Sequence, residues 1–85
     1  MLPEMTELIH SIYGVQRQVW DEANRRNDLN TDTLLQVWER LEVLSDEVGE
    51  CLHDYVIQRD NSVVEHLREV EQRAYQELQH FHESA

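Results

Sequence analysis

The sequence predicts an all-α fold, either an antiparallel three-helix bundle or a helical hairpin with an extra helix. The 85 residues include only 2 glycines and 1 proline, so the residues that form the tight turns of a β-protein are scarce. Good helix formers dominate, and the apolar residues recur three and four positions apart. A chain of this length is expected to form one domain, residues 1–85.

The first helix is expected at about residues 3–26. Pro3 suits a first helical position, because its fixed φ is helical and its missing N–H would have no partner there. Arg25 and Arg26 suit the negative end of the helix dipole. Gln16 interrupts an otherwise apolar stripe. The stripe consists of Met5, Leu8, Ile9, Ile12, Val19, Trp20 and Ala23.

The second helix is expected at about residues 31–58, with Asn30, Thr31 or Asp32 as its cap. Its apolar residues alternate steps of three and four, which is the a/d seam of a helix that packs on another helix. The seam consists of Leu34, Val37, Leu41, Leu44, Val48, Cys51 and Tyr55. The apolar face is widened by Leu35, Trp38, Leu52 and Val56. A face this wide predicts two neighbouring helices, or one neighbouring helix and a second subunit. We expect the second subunit, in a homodimer formed through helix 2.

The third helix is expected at about residues 62–82. Ser62 followed by Glu65 is the pattern of a capping box, in which the two residues satisfy each other's backbone N–H groups. One side of the helix is apolar and consists of Val63, Leu67, Val70, Ala74, Leu78 and Phe81. The short connections between the helices predict that successive helices run antiparallel.

The formal charge is −11, from 18 carboxylates and 7 basic residues that are all arginine. Such a surface repels phosphate, so we expect no direct binding to nucleic acid or to an anionic membrane. It favours a basic protein surface or a divalent cation instead. The single cysteine, Cys51, and the absence of a basic leader predict a reducing, cytoplasmic location, and no apolar run is long enough for a membrane span.

The acids of helix 2 are concentrated on the side opposite its seam. Glu39, Glu42, Asp46 and Glu50, called the acidic ridge below, follow steps of three and four, and neighbours on such a helix face stand about 5–6 Å apart. That spacing is similar to the spacing of phosphates along a nucleic-acid strand. The pattern is also typical of a helix face that is simply solvated.

The first hypothesis for function follows from the ridge. The protein is expected to bind a basic protein surface, as an inhibitor or a nucleic-acid mimic, without a cofactor and without catalytic residues. The predicted partner-binding residues are Glu39, Glu42, Asp46, Glu50, Asp54 and Trp38.

The segment Asp46-Glu47-Val48-Gly49-Glu50 resembles the E-V-G-E core of MazG-like nucleotide pyrophosphohydrolases. Glu47 and Glu50 match the ExxE motif of that all-α family, and Glu69 matches the first position of its ExxD motif, whose last position is Gln72 here. The resemblance implies a Mg²⁺ ion held by Glu47, Glu50 and Glu69, and hydrolysis of a nucleoside triphosphate to a monophosphate and pyrophosphate. Because Gln72 replaces a charged ligand, the resemblance is also compatible with a degenerate relative of the family.

A third hypothesis is a structural helical oligomer that uses the wide face of helix 2.

Overall fold

The computed structural model describes residues 2–26, 28 and 30–83. It contains three helices, α1 (Pro3–Arg25), α2 (Thr31–Gln58) and α3 (Val63–Glu83). The described residues form no strand, so the predicted all-α fold is confirmed. None of the three helices combines the length and the apolar composition that crossing a bilayer demands, within the residues described.

Local sequence explains both ends of α2. Of the three candidate caps, Asn30 has this role: its side-chain oxygen accepts the N–H of Thr33 at 2.8 Å. At the other end Arg59 adopts the left-handed conformation, with φ 57° and ψ 35°. The N–H of Asp60 then bonds back to the carbonyl of Asp54 at 3.4 Å. A left-handed residue that reverses the chain in this way stops a helix and satisfies one of its last carbonyl groups.

The start of α3 differs from the predicted capping box. The carboxylate of Asp60 accepts both the backbone N–H of Ser62 at 2.9 Å and its hydroxyl at 2.6 Å. These two bonds lower the pKa of Asp60. The carboxylate of Glu65 contacts Arg68 on its own helix. Asp60, rather than Ser62 paired with Glu65, therefore holds this turn.

Helix α3 packs against both other helices, whereas α1 and α2 contact each other little. Side-chain contacts show that α1 and α3 run parallel: Glu4 with Arg68, Ser11 with Tyr75, and Glu22 with His82. Others show that α2 runs antiparallel to both: Glu47 with Arg73, Arg40 with Glu77, and Gln16 with Ser45. The result is an up-down-up three-helix bundle of about 45 × 18 × 15 Å.

The core lies along α3 and draws unequally on its two neighbours. Its largest fully buried side chains are those of Met5, Ile12, Val19, Val48, Cys51, Leu67 and Val70. Although α2 is the longest helix, only Leu44, Val48 and Cys51 are buried on it, and the rest of its predicted seam is half-buried. Burial raises the pKa of the Cys51 thiol, as expected of a packed cysteine. Much of the surface of α2 consequently faces outward.

Candidate protein-binding surface

The acidic ridge lies on the outer side of α2. An α-helix turns ~100° per residue, which places the ridge opposite the buried Leu44, Val48 and Cys51. All four ridge residues, Glu39, Glu42, Asp46 and Glu50, are exposed. Asp54, at the edge of this face, is half-buried, and its Oδ1 lies 3.6 Å from Nδ1 of the neighbouring His53. The structure therefore gathers the predicted partner-binding carboxylates on one accessible side of the bundle.

The charge of the ridge is not balanced by the chain itself. In the described part of the molecule, none of the four ridge carboxylates forms an ion pair, while five of the 7 arginines pair elsewhere. Those pairs are Arg17 with Asp21, Arg26 with Asp28, Arg40 with Glu77, Arg68 with Glu4 and Glu65, and Arg73 with Glu47. Most of the arginines thus have acidic partners outside the ridge, and the ridge keeps its negative charge.

Exposed apolar side chains accompany the ridge. Among the described residues, eight large hydrophobic side chains are exposed, and five of them lie on α2: Leu35, Trp38, Val43, Val56 and Ile57. Trp38 is 49% exposed and Ile57 is 66% exposed. Single apolar residues on a surface are common, but a concentration on one helix is typical of an interaction surface. The outer face of α2 therefore combines uncompensated charge with apolar area, which a merely solvated face does not require.

Trp38 belongs to a groove of about 270 Å³ between α1 and α2. Its ring centroid lies 5.8 Å from that of Trp20, with 53° between the ring planes. The groove is lined by Tyr13, Gln16, Arg17 and Trp20 from α1, and by Trp38, Leu41, Glu42 and Ser45 from α2. Glu42 thus belongs both to the acidic ridge and to the wall of this groove, which joins the two features into one surface.

Gln16 connects the two walls of the groove at its floor. The residue is buried, and its Nε2 donates to the carbonyl oxygen of Leu41 at 2.9 Å and to Oγ of Ser45 at 3.1 Å. In the sequence it was only an interruption of the apolar stripe of α1. A long polar residue on an otherwise apolar helix face is the signal that indicates such a bridge, because a buried amide needs partners.

The three carboxylates of the implied metal site occupy different settings. Glu47 is half-buried between α2 and α3, where it contacts Arg73 and where its Oε1 lies 3.5 Å from Nε2 of His66. The interaction with the guanidinium of Arg73 is the main reason that the pKa of Glu47 lies below its usual range, although burial opposes this shift. Glu50 and Glu69 are exposed. Within one copy of the chain, the described residues hold no group of three or more His, Cys, Asp or Glu side chains placed to bind a metal ion.

The MazG-like hypothesis, which would require Mg²⁺ to be held between two copies of the chain, stays a prediction. Comparison with known protein families, with curated proteins and with solved structures gives no match. Function is therefore inferred from the geometry and chemistry of this chain alone.

Proposed function

We propose that this protein is a binding module that docks a basic surface of another protein on the outer face of α2. The observation that carries the proposal is the acidic ridge, four exposed carboxylates without an ion pair among the described residues, next to exposed apolar side chains. Uncompensated charge of one sign speeds the encounter with an oppositely charged partner. Burial of the neighbouring apolar side chains then slows dissociation.

The spacing of the ridge supports a partner that normally holds nucleic acid. Carboxylates one helical turn apart stand about 5–6 Å from each other, so arginines and lysines placed to contact successive phosphates would meet carboxylates at similar intervals. An inhibitor that mimics nucleic acid is the specific form of this proposal. The protein itself, with a formal charge of −11, is repelled by phosphate.

A second copy of the chain is a less suitable occupant of the same face. Two α2 helices meeting through their outer faces would bring Glu39, Glu42, Asp46 and Glu50 of one copy against the same carboxylates of the other. Facing like charges oppose association, whereas a basic surface removes the repulsion already present along the ridge. The predicted homodimer stays a prediction, and charge complementarity favours the basic partner.

A charge-reversal experiment tests the proposal. The variant Glu42→Arg/Asp46→Arg/Glu50→Arg is compared with a matched control, Glu7→Arg/Glu69→Arg/Glu83→Arg. The control residues are exposed acids on α1 and α3 that form no ion pair with any described residue. Each variant replaces three acids by three arginines, so both change the net charge equally. The probe is a fluorescently labelled amphipathic peptide, helical when bound, with arginines along one face. We expect the ridge variant to bind roughly tenfold or more weakly than the control, because it replaces attraction by repulsion at the contact itself.

Fluorescence anisotropy at low ionic strength measures both affinities, and circular dichroism checks that both variants remain helical. If the two triple variants lose affinity equally, net charge rather than the ridge governs binding, and the proposed docking face is wrong. Binding of the control should also keep its steep salt dependence, while that of the ridge variant should flatten.

A further inference from the structure

We infer that the groove between α1 and α2 receives an arginine side chain of the basic partner, with the guanidinium stacked on Trp38 and paired with Glu42. The inference rests on the proposed function and names the anchor of that same surface. Trp38 and Glu42 line the groove together, one turn apart on α2. Neither the ridge alone nor the exposed apolar residues alone would select one kind of side chain.

The first requirement is an aromatic face that is accessible and fixed in place. Trp38 is 49% exposed, and its ring lies against the half-buried ring of Trp20, with 5.8 Å between the ring centroids and 53° between the ring planes. Contact with a second ring restricts the orientation of Trp38, so a planar cation can stack on its exposed part without ordering it first. Arginine stacks on tryptophan through both its charge and its flat shape. The chain itself contains a related contact of an arginine with an aromatic ring, since Cζ of Arg26 lies 5.1 Å from the ring centroid of Phe81.

The second requirement is an acceptor within reach of the stacked cation. Side chains four residues apart on a helix have Cβ atoms about 5–6 Å from each other, so a guanidinium on Trp38 reaches the carboxylate of Glu42. Glu42 is exposed and forms no ion pair among the described residues. A carboxylate can accept two parallel N–H groups from one guanidinium, a geometry that the ammonium of lysine cannot reproduce.

The rest of the groove offers little competition for this role. Gln16 bonds to Ser45 and donates to the carbonyl oxygen of Leu41, so these polar side chains of the floor already have partners. A purely apolar anchor would shield Glu42 from water without pairing it, which is unfavourable. The volume of about 270 Å³ is sufficient for a single long side chain.

Arg17 gives the inference its sharpest test, because it is a cation of the chain itself at the same groove. Its side chain is 85% exposed, and its pair with Asp21, with Nε 4.0 Å from Oδ2, is also exposed, so the charge of Arg17 is only weakly neutralised. An incoming guanidinium is repelled by Arg17, so its removal should tighten binding. An anionic occupant would instead use Arg17, and its removal would weaken binding.

The experiment compares two peptides of equal length and charge, the arginine peptide used above and a version with lysine at every arginine position. We expect the wild-type protein to prefer the arginine peptide about five- to tenfold, the preference to disappear in Trp38→Leu and in Glu42→Gln, and Trp38→Phe to keep part of it. The variant Arg17→Gln should bind the arginine peptide about two- to threefold more tightly. Anisotropy gives the affinities, and circular dichroism confirms the fold of each variant.

Equal affinity of the wild-type protein for both peptides would overturn the inference, as would an unchanged preference in Trp38→Leu or weaker binding by Arg17→Gln. In each of these cases the ridge reversal can still abolish binding, and the proposed function then survives without its anchor. If the ridge reversal leaves the binding of both peptides unchanged, the proposed function itself fails.

Discussion

Glu47 shows how a single contact decides what a carboxylate does. In the sequence it is one of several acids on the flank of α2, and the family resemblance implies that it is a metal ligand. In the structure it contacts Arg73 and His66 of α3, and Arg73 lowers its pKa. A residue on α2 cannot be matched to its partner on α3 from sequence alone, because the match depends on the rotation and axial shift of the two helices. The resemblance and the ion pair therefore make different uses of the same side chain.

This ion pair predicts a pH dependence of stability. The pKa of Glu47 is lower in the folded protein than in the unfolded chain, so its stabilisation is present above the unfolded value and is lost as the pH falls through the folded value. We expect Glu47→Gln to lower the free energy of unfolding by about 1 kcal/mol near pH 7, a value typical of a partly exposed pair. The difference from wild type should shrink as the pH falls below the ordinary carboxyl pKa of 4.5.

Urea denaturation at a series of pH values measures the effect. Glu69→Gln is the matched control, because Glu69 is an exposed acid of α3 that forms no ion pair among the described residues. It should follow the wild-type curve at every pH. A loss in Glu47→Gln that is the same at pH 3 as at pH 7 would show that packing, and not the ionised pair, is responsible.

At the scale of the helices, the periodicity of the apolar residues predicted that helices form but not how deeply each helix is buried. The a/d seam identified Leu44, Val48 and Cys51, which are buried, and Asn30 was among the three predicted caps. Local pattern is sufficient there, since it depends only on helical periodicity. The pattern did not indicate that α1 and α2 would stand apart with Gln16 between them. That separation follows from how both helices pack on α3, which no local pattern encodes.

The hydrogen bonds of Gln16 between α1 and α2 should contribute to the stability of the bundle. We expect Gln16→Ala to lower the free energy of unfolding by about 1–3 kcal/mol, because it removes two hydrogen bonds at the floor of the groove and leaves a cavity. Gln18→Ala, at an exposed position of the same helix, is the control and should change stability by less than about 0.5 kcal/mol. Urea denaturation at neutral pH compares the two. Equal stability of both variants would mean that water replaces the bridge without loss.

At the scale of the whole molecule, charge separates the two possible uses of the outer face of α2. Binding to a basic partner relies on attraction and should weaken with salt, whereas association of two copies through the ridge opposes like charges and should strengthen with salt. The formal charge of −11 predicted that the surface is negative, but it did not indicate that most of the arginines pair with acids outside the ridge.

Sedimentation velocity at ionic strengths of about 0.02 M and 0.5 M tests this contrast. We expect the protein alone to show its smallest average mass at low salt, and its complex with the arginine peptide to be most populated there. A homodimer that is strongest at low salt would contradict an interface made through the acidic ridge. Such a result would indicate that the two copies meet through a face that carries both acidic and basic side chains.

The sparse contact between α1 and α2 has a consequence for the order in which the molecule assembles. Two successive antiparallel helices can pack against each other once both have been synthesised, but here α1 and α2 each make most of their contacts with α3. During synthesis, the whole of α2 and the following turn are therefore made before α3, the main packing partner of the apolar stripe of α1, leaves the ribosome. The contacts that close the bundle join residues about sixty positions apart, such as Ser11 and Tyr75, at a separation of 64. The nascent chain thus exposes the apolar face of α1 until α3 emerges. A chaperone that shields this face would act on the nascent chain, before the native bundle forms.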